Sequence, residues 1–560
     1  MLLSILGFLI ILGPLVVIHE FGHYIFARMF NVKAEVFSIG FGPKIWSRQL
    51  GETELRVSII PLGGFVKLLG EDRESELSPA EAARSLHRQK AWKRFFIFFG
   101  GPLFNFLMAI ALFMAILAVG EPQLSNVIGR VVHHSAAERA GFLSGDRVLS
   151  IADQKVTKFE EIATAINDHP GQSLGFEVQH PGTSAPVKFQ VTPTVQPGFS
   201  VYGESTHVGE VDGLLPLARA TIVGISDPRS LAAQAGAQTG DEIVAVNGTA
   251  ISSWEDFEGL YDKAPAGAVF DLKLQEGVKP GSSSAGTTPP VATAKTAVPS
   301  HEVKLTKPAG ALSPSQAWGL HSSELFVDST LAGSPAEASG LKTADRITAV
   351  GNEKIESFMQ LRDAVQRAGE KIGKVELHWE RAGKEITAMI TPMSKQVLDP
   401  LLKKSTQYTV GVTPLLLSAE PVLVTERILN PFVLVYQGTE RMLVFSWRNF
   451  VSVIKMFTGE VSVKTLGGPI MIGKIAGESL SRGLVSFLTT MAMLSIGLGV
   501  LNILPVPVLD GGHLLLLGLE MIRRKPLTLR TMEIIQQVGL TAILLLMGIV
   551  LKNDFVRLFS

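Results

Sequence analysis

His19-Glu20-Phe21-Gly22-His23 has the residue types and spacing for chemistry. On a helix, positions i and i+4 lie on one face, so His19 and His23 could share a metal ion while Glu20 reaches a water on that metal. The setting adds weight. No charged side chain occurs from Met1 to Ile18, and the apolar run resumes through Ile25 and Phe26. Ionisable groups in such a segment are costly unless paired or metal-bound, and they are functional by default. The alternative is a satisfied structural histidine pair.

A catalytic zinc takes three protein ligands and leaves one position for water. The chain has no Cys. That excludes a disulfide framework, a Cys nucleophile and an iron–sulfur cluster, and it requires the third ligand to be a His or a carboxylate. Asp510 leads the candidates, in Asn502-Ile503-Leu504-Pro505-Val506-Pro507-Val508-Leu509-Asp510-Gly511-Gly512-His513. Gly511 and Gly512 would let the backbone bring that carboxylate close to an ion. His513 and Glu520 are the alternatives.

The elements that position these residues follow from hydropathy. The chain has 560 residues, enough for three or four domains. It carries a net charge of zero, which argues against a generally basic nucleic-acid binder. Only 18% of residues are charged and the mean hydropathy is +0.29, too apolar for an average soluble protein. The excess lies at the two ends: a first span over the HEFGH segment, a second at Phe95–Val119, a third at Leu484–Ile503 and a fourth at Val538–Leu551. The fourth is short and needs Ile534 and Ile535 to reach full length. A cleaved signal peptide fits the first span poorly, because no Lys or Arg precedes it and no small-residue cleavage site follows.

Arg84, Arg88, Lys90, Lys93 and Arg94 precede the second span, and Arg523, Arg524, Lys525 and Arg530 separate the third from the fourth. The positive-inside rule makes both loops cytoplasmic, which puts residues 121–483 on the outer side. The first and third spans then run inward, bringing His19, His23 and Asp510 toward the cytoplasmic leaflet. Residues 32–70, rich in alternating and glycine-bearing stretches, read as a small membrane-associated β element. Together with residues 1–120 it forms one half of a membrane core, and residues 484–560 form the other.

Between the halves one pattern recurs. Ser135–Ile151, Ser230–Val246 and Ser334–Val350 align without a gap. Each reads as a short helix, a glycine turn (Gly141, Gly236, Gly340) and an Asp (Asp146, Asp241, Asp345) opening a buried strand. A second helical segment follows at Phe159, Trp254 or Phe358. The pattern resembles PDZ domains of bacterial proteases, and places them at 122–196, 205–308 and 318–396. Such domains add an extended peptide or a free C-terminus to a sheet edge; a spacer or steric gate is the other reading. Residues 276–300, dominated by Gly, Pro, Ser, Thr and Ala, read as a flexible insert in the second copy. Residues 420–482 mix apolar and cationic side chains at near-helical spacing and read as amphipathic helices on the outer membrane surface. The fold expected is a polytopic α-helical membrane protein with four transmembrane helices, a membrane-associated β element and three extracytoplasmic PDZ domains of α+β type.

HEFGH, Gly101-Pro102-Leu103-Phe104-Asn105 in the second span and NxxPxPxLDGGH after the third together resemble the site-2 protease family of intramembrane zinc metalloproteases. The resemblance covers the whole chain. Sigma-factor-regulating bacterial members typically carry two PDZ domains, and this chain shows three. The resemblance implies one zinc per chain, held by His19, His23 and Asp510, with Glu20 as the general base that takes a proton from the bound water and returns it to the leaving amine. Asn502 matches a family position that holds substrate backbone, and Pro505 and Pro507 interrupt the helix beside it. Those prolines could equally do no more than end the third span, and Asn105 could be a polar contact between helices. The implied substrates are single-pass membrane proteins in the bilayer, already trimmed by another protease: anti-sigma factors or signal-peptide remnants. The implied location is the bacterial inner membrane. A catalytically silent PDZ scaffold and a transporter are competing readings.

Overall fold

The computed structural model describes residues 2–70, 77–199, 205–281, 299–310, 312–398, 404–415, 417–457, 467–525 and 528–559. Most of the insert expected at 276–300 therefore falls outside the described residues. The chain divides into two compact units: one from residues 1–122 and 425–560, the other from 123–200 and 204–424.

In the first unit, four helices are long and apolar enough to cross a membrane: Leu6–Met29, Ala91–Val119, Leu484–Ile503 and Arg530–Phe555. The fourth helix extends from Leu529 to Phe559, well beyond the apolar run that marked it in the sequence. Polar residues at both ends of that run continue the helix, because backbone hydrogen bonding propagates past a hydropathy boundary. The first three spans pack on one another, whereas the fourth buries little against the rest. Ala109, Phe113, Ile116, Ala492, Ile496 and Val500 form the core between the second and third spans.

Two strands, β1 (Ala34–Leu50) and β2 (Thr53–Leu68), follow the first span. The first part of β1 is flanked by both ends of β2: Ser38 lies opposite Arg56 on one side and Phe65 on the other. This compact sheet packs against the first span. Of the 420–482 segment, Pro431–Phe457 and Pro469–Ser481 are helical. The former packs on the second span, with Phe445 stacked on Phe113, and the latter packs on the first and third spans.

The second unit holds three modules with the same sheet order. The strands are 154–155, 147–151, 174–179 and 187–191 in the first; 249–250, 242–246, 269–275 and 300–306 in the second; and 353–354, 346–350, 375–381 and 384–390 in the third. The repeated residues do the same work in each. Ser135, Ser230 and Ser334 cap the short helices by accepting the N–H of Glu138, Ala233 and Glu337. Asp146, Asp241 and Asp345 close the following turn by accepting the N–H of Leu143, Gln238 and Lys342. Each of these Asp residues is buried.

Strand pairing carries every module past the sequence windows. Arg130–Val131 pairs with Leu214–Leu215, Val223–Gly224 with His321–Ser322, and Val327–Thr330 with Val412–Pro414. Val211, Leu320 and Val410 belong to the respective cores, so the windows ending at 196, 308 and 396 stop short. Each closing strand is only two or three residues long and follows an intervening hairpin or helix, too short to show alternation.

Candidate metal centre

His19 and His23 sit one turn apart on the first span, with ring centroids 4.9 Å apart and planes nearly perpendicular. Their Nε2 atoms are 3.3 Å apart. Asp510, the first residue of the helix Asp510–Arg523, brings Oδ2 to 3.2 Å from His19 Nε2 and Oδ1 to 3.4 Å from His23 Nε2. A tetrahedral zinc with bonds of about 2.0–2.1 Å sets its ligand atoms about 3.3–3.4 Å apart. The two histidine nitrogens stand at that edge length, each meets a different oxygen of the Asp510 carboxylate at 3.2 or 3.4 Å, and one ligand atom from each residue lies within 4.8 Å of the other two, so the donor set fits zinc. Among the described residues this is the one cluster of three such groups close enough to hold a metal ion.

Close backbone approach makes the cluster possible. Gly101 of the second span lies beneath both rings: a Cβ there would come within 2.4 Å of His23 Nε2 and 2.6 Å of His19 Cε1. At Gly511 a Cβ would stand 2.2 Å from the carbonyl oxygens of Ile503 and Leu504. That glycine lets the Asp510 helix fold back under the end of the third span. Between the two helices, Val508 holds a φ of 84°, a left-handed conformation strained for a β-branched residue.

The second span holds the ring nitrogens that face away from the cluster. His23 Nδ1 lies 2.8 Å from the Ile97 carbonyl, and His19 Nδ1 lies 3.0 Å from the Asn105 amide. Glu20 lies against β2, where a Cβ at Gly64 would stand 3.1 Å from its Cγ. Asn502, at the end of the third span, puts Nδ2 3.3 Å from His19 Nε2. Pro505 and Pro507 occupy the non-helical break between the third span and the Asp510 helix.

The other two candidate ligands have different partners. Glu520 pairs with Arg94 at 3.1 Å, and His513 stacks on Phe98 at 4.9 Å between centroids. Both contacts dock the Asp510 helix on the second span. Sequence reasoning missed the approach of Glu20 to Gly64 and the place of Asn105 beside His19. Asn105 was visible as a polar residue in an apolar span, the signal that marks a functional group at membrane depth.

Residues 7–546 match the family model described as Peptidase family M50. A Pasteurella multocida protein whose name assigns it to the zinc metalloproteases is 30% identical over 557 residues, covering 99% of each chain. Protease RseP of Yersinia pestis is 27% identical over 564 residues, and the regulator of sigma-E protease RseP of Salmonella typhimurium is 27% identical over 568. In both cases 99% of each chain is covered.

Proposed function

The chain belongs to peptidase family M50, the family of the site-2 proteases, and is a zinc metalloendopeptidase of that type; from that premise we propose that it cuts transmembrane segments of single-pass membrane proteins at a zinc held by His19, His23 and Asp510. The convergence of the two Nε2 atoms and the Asp510 carboxylate, with contacts of 3.2–3.4 Å among apolar helices, carries this reading. One such cluster among the described residues supports one zinc per chain. Zinc bound there would lower the pKa of a water and polarise the scissile carbonyl.

The rest of the reaction falls to the protein's own groups. Glu20 removes a proton from the attacking water as its oxygen bonds to the carbonyl carbon, and delivers it to the amine nitrogen as the C–N bond breaks. β2 packs against the Glu20 side chain at Gly64 and helps to hold it in place. A transmembrane helix satisfies its own carbonyls, so the substrate must unwind before attack. Asn502, with its amide beside His19, is suited to pair with the exposed backbone groups. Pro505 and Pro507 keep that stretch from continuing as helix, which leaves room for an extended substrate.

The three modules read as PDZ domains on the outer face of the bacterial inner membrane, with the active site toward the cytoplasmic leaflet. A cavity of about 460 Å³ lies between the first and third modules, lined by Ile162 and Ile166 of the first module's second helix, Leu214 and Leu215 of its closing strand, and Met359 and Gln360 of the third module. An extended peptide or a C-terminus could add there as a strand. The same position could instead exclude substrates with bulky outer domains. By resemblance to the site-2 proteases, the substrates are anti-sigma factors or signal-peptide remnants, and the relatives named as regulators of sigma E support the first.

The test uses the full chain in detergent, with a model transmembrane segment as substrate. Glu20→Gln should keep zinc and lose cleavage, and His19→Ala should lose both. Equal cleavage by wild type and Glu20→Gln would overturn the reading.

A further inference from the structure

His23 and His19 face the same requirement. Each must present the lone pair of Nε2 to the metal, so each must carry its proton on Nδ1 and give it to an acceptor. For His23 the acceptor is plain: the Ile97 carbonyl, 2.8 Å from Nδ1, can only accept. For His19 the group beside Nδ1 is the Asn105 side chain, at 3.0 Å. With Nδ2 facing His19, the amide would donate to Nδ1 and drive the proton to Nε2, the wrong tautomer for a ligand. In that orientation Asn105 Oδ1 is also buried with no hydrogen-bond partner.

Turning the amide by 180° exchanges oxygen and nitrogen in nearly the same volume. The orphaned oxygen then meets His19 Nδ1–H. The rest of the residue is well fixed. Asn105 is fully buried, and its backbone carbonyl accepts a hydrogen bond at 2.8 Å from Ser495 Oγ of the third span. That bond ties the turn bearing the amide to the helix that leads to Asp510.

We infer that Asn105 is the positioning residue for the metal centre: its Oδ1 accepts the Nδ1 proton of His19, fixing the tautomer and ring angle that leave Nε2 free as a ligand. The inference rests on the zinc-site reading above. The second span thereby orients both histidines, one through a backbone carbonyl and one through a side-chain carbonyl.

The test measures zinc affinity by chelator competition on the full chain in detergent, alongside the melting temperature of the zinc-free protein. Asn105→Leu removes the acceptor and should weaken zinc binding by about 10–100-fold. Asn105→Asp is acceptor-only and should bind zinc at least as tightly as wild type. With cobalt in place of zinc, Asn105→Leu should change the visible absorption bands and Asn105→Asp should largely preserve them. His19→Ala is the control for the site itself. Zinc affinity unchanged by His19→Ala would sink the zinc-site reading. If His19→Ala abolishes binding while Asn105→Leu leaves it intact, the role of Asn105 alone fails. Loss of affinity in Asn105→Asp equal to that in Asn105→Leu would also overturn it, since that result would mean the amide N–H is the group required. Should Asn105→Leu fail to fold, as read from the zinc-free melt, Asn105→Asp and Asn105→Ser decide the same question.

Discussion

Arg130 of the first module donates from Nη1 to Glu324 Oε2 of the third at 2.7 Å, with both side chains buried. Glu255 of the second module lies 3.8 Å from Arg130 and also pairs with Arg219 at 2.7 Å. The remaining oxygen of Glu324 accepts the Phe358 N–H at 3.0 Å. The three modules thus meet at one buried ionic junction, and each supplies a member that the others need. Removing one partner from a buried pair leaves an uncompensated charge and costs about 3–5 kcal/mol. Arg130→Ala should destabilise the modules by about that amount, whereas Arg130→Met with Glu324→Leu should recover most of it. Fluorescence melts report this directly, because Trp254, Trp318 and Trp379 are buried in the second and third modules. Equal melting of wild type and Arg130→Ala would show that the junction adds no stability.

Gly101 should tolerate no side chain. A methyl there meets both imidazoles inside contact distance, and the neighbouring atoms belong to rings held by hydrogen bonds at their far nitrogens. Gly101→Ala should lower zinc content at least about tenfold, the loss that follows from misaligning metal-ligand imidazoles. Metal analysis of the purified variant against wild type checks it.

Asp554 of the fourth helix is 2% exposed and accepts the N–H groups of Gly468, Ile470 and Met471. These donors open the helix Pro469–Ser481, where a carboxylate satisfies unpaired N–H groups and complements the helix dipole. Asp554→Ala should cost about 1–2 kcal/mol and speed hydrogen exchange at those three amides. Asp554→Asn should fall between, because it keeps one acceptor oxygen. Unchanged exchange in the Ala variant would rule out the cap.

His321 in the closing strand of the second module is pushed down to about 3, first by burial and then by the Arg346 guanidinium, 3.4 Å from its ring. An unfolded histidine titrates near 6.5. Between these values the unfolded chain binds the extra proton, so stability falls as pH drops from about 6.5 toward 3. The slope from this one group is at most about 1.4 kcal/mol per pH unit. His321→Gln should flatten the acid side of a melting profile taken from pH 7 to pH 4.

Local information sufficed for several features. The pairing of His19 with His23 depends only on helical periodicity within one apolar segment, and the spans depend on hydropathy alone. The three modules were legible because each repeats a serine cap and an aspartate-closed turn, interactions that reach only three residues along the chain. The fourth helix was underestimated because polar residues extend it at both ends, and the modules were underestimated because their closing strands are too short to show alternation.

Long-range geometry depends on packing. The sequence named Asp510, His513 and Glu520 as possible third ligands, and nothing within that segment ranks them beyond the neighbouring glycines. The tertiary structure separates them: Arg94 takes Glu520, Phe98 takes His513, and Asp510 lies against both histidines. The amide of Asn105 beside His19 is of the same kind. A ligand set drawn from distant segments exists only once helices pack, because spacing along a chain fixes neighbours on one helix and says nothing about which face of another helix will meet it.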